Sequence, residues 1–255
     1  MMDLNFNLVL LIFSFFVIAT LYSSVGFGGG SSYLALLALL LPNFLEIKST
    51  ALLCNLVVVS GSTYLFIKQG LFDFKKFLPL ALCSVPAAFL GATVSLKQSV
   101  FFICLGAVLA FSGALLILQF FTQPVAQRME YARHSWLFNL LLGASSGFVS
   151  GLVGIGGGIL LSPVLHLLKW ADARTIAALA SFFILVNSVA GVLGQVASGN
   201  FKADGTFLWP LLLAVFLGGQ LGTRLSLQKI KPQAVKGLTG AFVLFIGLKL
   251  VFSYL

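Results

Sequence analysis

Charge is scarce in this 255-residue sequence: only 8% of its residues are Asp, Glu, Lys or Arg, and six of them are acidic. Asp3, Glu46, Asp73, Glu130, Asp172 and Asp204 all fall in or beside the polar breaks between apolar runs. No carboxylate stands in the middle of a run, where a cation carrier or a proton pump needs one. Cysteine is equally sparse. Cys54, Cys83 and Cys104 lie inside apolar runs without CxxC spacing, which argues against a disulfide framework or thiolate metal site and leaves them as small packing residues. The only histidines are His134 and His166. The residue set calls for no metal and no organic cofactor.

Apolar side chains take the place of charge. They make up 60% of the chain, with a mean hydropathy of +1.10, more apolar surface than a water-soluble domain of this length hides. The lipid bilayer is the expected partner. A spanning helix needs roughly 20 apolar residues, and runs of that order occur near 6–24, 30–41, 50–67, 77–95, 100–121, 136–169, 175–198, 207–226 and 234–254. The pattern predicts an all-α polytopic membrane protein of about eight long elements. The leading residues, Met1 to Asn7, contain Asp3 and no basic residue, so the first run reads as a retained helix rather than a cleaved signal. The net charge of +9 comes from Lys and Arg scattered over loops such as 68–76 and 229–236. That placement suits lipid headgroups. A nucleic-acid partner is not expected, because no basic and aromatic patch is contiguous. Lys and Arg are nearly balanced between alternate loops, so the membrane orientation stays open, as does assembly into a homo-oligomer.

An internal repeat is visible by eye. "VGFGGG" at 25–30 matches "VGIGGG" at 153–158, "KSTALLCN" at 48–55 lies over "RTIAALAS" at 174–181, and "LGATVS" at 90–95 lies over "LGTRLS" at 221–226. These matches pair Lys48 with Arg174 and Asn55 with Ser181, and Pro79 falls near Pro210. The chain divides into a first repeat at 1–121, a polar linker at 122–135 with Arg128, Glu130, Arg133 and His134, and a second repeat at 136–255. Tandem membrane repeats are common in secondary transporters, where substrate binds between them near mid-bilayer.

The glycine clusters Gly26, Gly28, Gly29, Gly30 and Gly154, Gly156, Gly157, Gly158 occupy matching places in the two repeats. Each glycine costs a helix interior about 1 kcal/mol relative to alanine, so each cluster predicts a break. In hydrocarbon a break leaves backbone groups unpaired unless it faces protein or a wet cavity. Two equivalent breaks therefore predict a shared hollow. Half-helices restarting near Ser31 and Ile159 would offer it free N–H groups and a partial positive charge, a setting for an anion. The isolated pairs Gly143/Gly147 and Gly218/Gly222 read instead as close helix packing.

Polar side chains form stripes at intervals of seven: Asn55, Ser62 and Gln69 in one half, and Ser181, Ser188 and Gln195 in the other. Residues seven apart share a helix face, and Asn187 widens the second stripe. Such residues either face substrate or tie helices together by hydrogen bonds. The expected substrate-binding set is Gly26, Gly28, Gly29, Gly30, Ser31, Asn55, Ser62, Gly154, Gly156, Gly157, Gly158, Ser181, Asn187 and Ser188. His166 and Arg224 read as interfacial, with Arg224 snorkelling to the headgroups. "GASSG" at 143–147 formally matches G-x-S-x-G, but it lies in an apolar helix with no intramembrane acid to complete a triad. A Ser145 or Ser146 dyad with His166 is the remaining route to an intramembrane hydrolase.

"LYSSVGFGGGSSYLALLAL" (21–39), "SGFVSGLVGIGGGILLSPVLHLLKW" (146–170) and "ALASFFILVNSVAGVLG" (178–194) resemble the TauE/SafE family of sulfite exporters over nearly the whole chain. The resemblance implies a bacterial inner-membrane permease of two four-helix repeats that moves small sulfur-containing anions such as sulfite and sulfoacetate. It puts the family's glycine motifs on the two clusters and Pro163, and its asparagine-bearing helices on Asn55 and Asn187. Several relatives with the "YSSVG" opening carry histidine where this chain has Phe27. The expected function is thus alternating-access export of a small anion, with an anion channel as the alternative; no catalytic residue is assigned.

Overall fold

The computed structural model describes residues 2–38, 43–121, 135–168, 170–203, 205–228 and 232–255. The linker residues 122–134, with Arg128, Glu130, Arg133 and His134, lie outside the described residues, as do Lys169, Asp204, Lys229 and Lys231.

Ten helices follow one another with no strand among the described residues: α1 (Met2–Ser23), α2 (Gly30–Ala38), α3 (Phe44–Lys68), α4 (Phe74–Thr93), α5 (Gln98–Phe121), α6 (Trp136–Val153), α7 (Gly158–Leu167), α8 (Ala173–Ala197), α9 (Gly205–Gln228) and α10 (Pro232–Tyr254). The second five repeat the order of the first: a helix, a break, a half-helix of 9 or 10 residues, then three long helices. Counting each broken pair as one element gives the eight expected.

Both breaks begin with a glycine that ends its helix in the left-handed region. At Gly26 (φ +82°) the N–H of Phe27 returns to the Tyr22 carbonyl (2.9 Å) and that of Gly26 to the Ser23 carbonyl (3.1 Å). This pair of bonds is a Schellman end. At Gly154 (φ +84°) a single bond runs back to the Ser150 carbonyl (2.7 Å). A residue with a Cβ is strained in either place.

Caps set the starts of α3 and α8. The Asn43 side chain accepts from the Leu45 N–H (3.1 Å), and Asp172 accepts from the N–H groups of Arg174 (3.0 Å) and Thr175 (3.1 Å). The first cap starts α3 at Phe44, six positions earlier than its apolar run suggests, and so brings Glu46 and Lys48 into the helix. A cap satisfies orphan N–H groups, and a polar first turn is compatible with that role.

Six helices or helix segments among the described residues are long and apolar enough to cross a bilayer: Phe44–Lys68, Phe74–Thr93, Gln98–Phe121, Trp136–Val153, Ala173–Ala197 and Leu208–Leu225. The 25 residues of α3 reach roughly 37 Å, enough for a hydrocarbon core of about 30 Å. Phe13, Leu82, Phe111, Leu141, Leu193, Trp209 and Phe252, from helices all around the bundle, are more than half exposed. On a soluble protein such a surface drives association; in lipid it is the ordinary exterior. The chain is an integral membrane protein.

The repeats interlock. α4 packs on α6 as α9 packs on α1, α4 on α8 as α9 on α3, and α5 on α7 as α10 on α2, while α3 meets α8 and α5 meets α10. Exchanging the two halves maps this pattern onto itself. Glycines permit the closest contacts. A Cβ on Gly143, Gly147 or Gly151 of α6 would meet the carbonyls of Leu80, Ser84 and Ala88 on α4, and one on Gly218 or Gly222 of α9 would meet those of Phe16 and Thr20 on α1. The isolated glycine pairs are therefore packing surfaces.

Candidate functional site

α3 and α8 cross at the centre of the bundle, each running beside the half-helix that precedes it. Their equivalent residues Asn55 and Ser181 are fully buried, and each reaches into the opposite repeat. Asn55 Nδ2 donates to the carbonyl of Ile155 in the second break (3.2 Å), and Ser181 Oγ donates to the carbonyl of Gly26 in the first (3.0 Å). The two breaks are thereby joined by reciprocal bonds.

One amide touches both. A Cβ on Gly28 would run into Asn55 Oδ1 and one on Gly30 into Asn55 Nδ2, while a Cβ on Gly156 would lie 3.2 Å from Asn55 Nδ2 and 3.1 Å from Ser188 Oγ. Gly157 lies against Ser150 and Phe183. These glycines are present because Asn55 and the neighbouring helices α3, α6 and α8 come too close for any side chain. Residues 22–35 and 153–159 are buried throughout. The breaks come together around Asn55, and their buried residues leave the junction shut to the outside.

The junction is rich in unused hydrogen-bonding groups. The first intrahelical bonds of the half-helices come from Ser32 and Tyr33 to the Gly29 carbonyl and from Leu160 and Leu161 to the Gly157 carbonyl. Among the described residues, the N–H groups of Gly28, Gly29, Gly30 and Ser31, and those of Ile155, Gly156, Gly157, Gly158 and Ile159, have no protein acceptor. Beside them, Asn55 Oδ1, Ser188 Oγ and Ser150 Oγ are buried without a partner, and so are both polar atoms of Asn187 on α8. A buried polar group left unpaired costs about 1–3 kcal/mol, so a concentration of them is not explained by stability. Two helix N-termini bring their dipoles to the junction.

Other stripe residues join helices. Ser62 Oγ and Thr223 Oγ1 are 2.7 Å apart, linking α3 to α9; Ser49 Oγ donates to Gln195 Oε1 (2.6 Å), linking α3 to α8; Gln119 Nε2 donates to the Pro163 carbonyl (2.7 Å), linking α5 to α7. Gln69 is exposed at the end of α3. Ser31 is buried in the first turn of α2, where its neighbour Ser32 bonds the Tyr22 hydroxyl. Phe27 is buried with its ring 6.3 Å from that of Tyr22, so an apolar side chain fills this corner of the first break. Ser145 is exposed and donates to the Leu142 carbonyl (3.2 Å), and Arg224 is exposed.

Sequence reasoning missed Lys48. It is 4% exposed, with its stem against the second break: a Cβ on Gly154 would lie 2.6 Å from Lys48 Cγ. The spacing held the signal, because the stripe Asn55, Ser62, Gln69 taken one step back reaches Lys48.

A repeated helical bundle with paired breaks at its centre, buried in lipid, is the architecture of a membrane transporter. The profile of the family described as "Sulfite exporter TauE/SafE" matches residues 11–250, and the chain belongs to that family. It is 35% identical over 249 residues to the "Probable membrane transporter protein y4hK" of Sinorhizobium fredii, covering 93% of this chain and 96% of that one. It is 23% identical to the "Probable membrane transporter protein YunE" of Bacillus subtilis, covering 97% and 98%. No solved structure matches significantly. The chain is a membrane transporter.

Proposed function

We propose that this transporter exports small sulfur-containing anions, sulfite or sulfonates such as sulfoacetate, across a bacterial inner membrane by alternating access. The observation that carries the proposal is the set of acceptor-free N–H groups at the starts of α2 and α7, held together by the Asn55 and Ser181 bonds. A sulfite or sulfonate group presents several oxygens at once and can accept from both half-helices. Asn187 and Ser188, buried and unpartnered, complete the shell. Glycines at 26, 28, 29, 30, 154, 156, 157 and 158 leave the backbone bare where the anion passes.

The shut junction supports alternating access over an open anion channel, since a solute enters only after the repeats move apart. Their interlocked symmetry supplies two equivalent ways to open. The test is flux into proteoliposomes of labelled sulfite, sulfoacetate, thiosulfate and sulfate, with and without a pH gradient. The proposal expects saturable uptake of sulfite or a sulfonate, with counterflow from preloaded vesicles. Non-saturating flux without counterflow would establish a channel instead, and no flux of any of the four would remove the assignment to sulfur anions.

A further inference from the structure

A second feature lies away from the paired breaks. A cavity of about 60 Å³ opens among the first turns of α3, the α4–α5 connection and the α8–α9 connection, lined by Phe44, Lys48, Ser95, Leu152 and Asn200 among others. That space takes several water molecules, or one small oxyanion. Lys48 is the only charged residue lining it, and among the described residues it has no carboxylate within ion-pairing distance. Asn200 Nδ2 donates to Ser95 Oγ (3.2 Å) and Ser198 Oγ (3.0 Å). The exposed Lys97 and Lys202 stand two residues from Ser95 and Asn200, and the Lys202 N–H is held by Ser49 Oγ (3.1 Å).

We propose that this cavity is an outer anion site, in which Lys48, with Ser95 and Asn200, receives a small oxyanion before it passes to the second break. Two observations support it: a cavity whose lining carries one charge, that of Lys48, with no carboxylate beside it among the described residues, and the contact of that same lysine's stem with Gly154, the first residue of the break. Lys97 and Lys202 place positive charge around the mouth and raise the local anion concentration. Lys48 thus bridges surface and junction. The equivalent Arg174 in the other repeat is exposed, so the site belongs to one side only. The order of passage rests on the transport reading above; occupancy of the cavity does not.

The test uses the full chain in phosphatidylcholine nanodiscs, with Val94→Cys, at the exposed edge of the lining, as reporter in a Cys83→Ser, Cys104→Ser background. Methanesulfonate should protect the introduced thiol from a maleimide. Adding Lys48→Gln should weaken that protection about tenfold, the effect of losing one charge-assisted contact, and Lys48→Arg should restore most of it. Equal protection in the Lys48→Gln variant overturns the inference, as does protection that appears in phosphatidylglycerol nanodiscs without methanesulfonate, which would assign the cavity to a lipid headgroup. Transport failure with protection intact removes the transport reading and leaves the site. Transport that depends on Asn55 with no Lys48-dependent protection does the reverse.

Discussion

Asn55 in the first repeat and Ser181 in the second hold equivalent places and make equivalent crossings, yet one reaches over with an amide and the other with a hydroxyl. Lys48 and Arg174 differ more: the first is buried against Gly154, the second exposed. The breaks differ in the same direction. Gly26 sits against the backbone of Ala177, whereas Gly154 sits against the flexible stem of Lys48. Duplication has kept the backbone plan and let the chemistry drift, so the residues nearest a substrate path need not match between halves.

The comparison predicts unequal effects for equal changes. Gly26→Ala combines left-handed strain of about 1–2 kcal/mol with overpacking of about 1–3 kcal/mol, since the Ala177 backbone cannot yield. It should destabilise the protein by about 2–5 kcal/mol, read from denaturant unfolding in bicelles. Gly154→Ala should carry the same strain, about 1–2 kcal/mol, with a smaller overpacking cost, because the Lys48 side chain can rotate where a backbone cannot. Equal losses would show that the two breaks are more alike than their neighbours indicate.

Asn55→Ala leaves the Ile155 carbonyl without its donor and removes a side chain that touches both breaks. Initial uptake should fall about tenfold or more. Ser181→Ala removes one neutral bond and should cost about fivefold or less. A reversed order would locate the substrate nearer α8 than the Asn55 contacts place it. Ser62→Ala is expected to change little in transport and to cost about 0.6 kcal/mol of stability, as for an ordinary interhelical bond to Thr223.

The smallest effect concerns pH. Burial alone raises the pKa of Asp172, but the Thr175 hydroxyl and the N–H groups of Thr175 and Arg174 outweigh it, and the carboxyl titrates below its ordinary value. A lowered folded pKa contributes stability that is present above the unfolded value of about 4 and is lost as pH falls through the folded value. The cap on α8 should therefore loosen in acid, seen as faster amide exchange at Arg174 and Thr175. The cap on α3, made by the uncharged Asn43, should not respond.

Much of the fold was legible because lipid leaves helices few alternatives, and the glycine clusters marked both breaks to within a residue. Two features of the site were not. Hydropathy averages over windows, so it started α3 at its apolar run and passed over Lys48 in the polar first turns. The tightness of the junction also escaped sequence reading: free N–H groups at two half-helices point to a shared space, but whether that space is open depends on how closely Asn55 approaches Gly28 and Gly30. Separation into substrate-facing and helix-tying residues was likewise set by partners in the other repeat, as Thr223 is for Ser62.

The central claim is that the acceptor-free N–H groups of both breaks hold the anion. The most direct measurement is a titration of the ¹⁵N-glycine-labelled protein in nanodiscs with methanesulfonate, followed by amide NMR. The account predicts saturable downfield shifts of the amide protons of Gly28, Gly29 and Gly30 together with those of Gly156, Gly157 and Gly158, at one common midpoint. Saturable binding that leaves both glycine sets unmoved would contradict it.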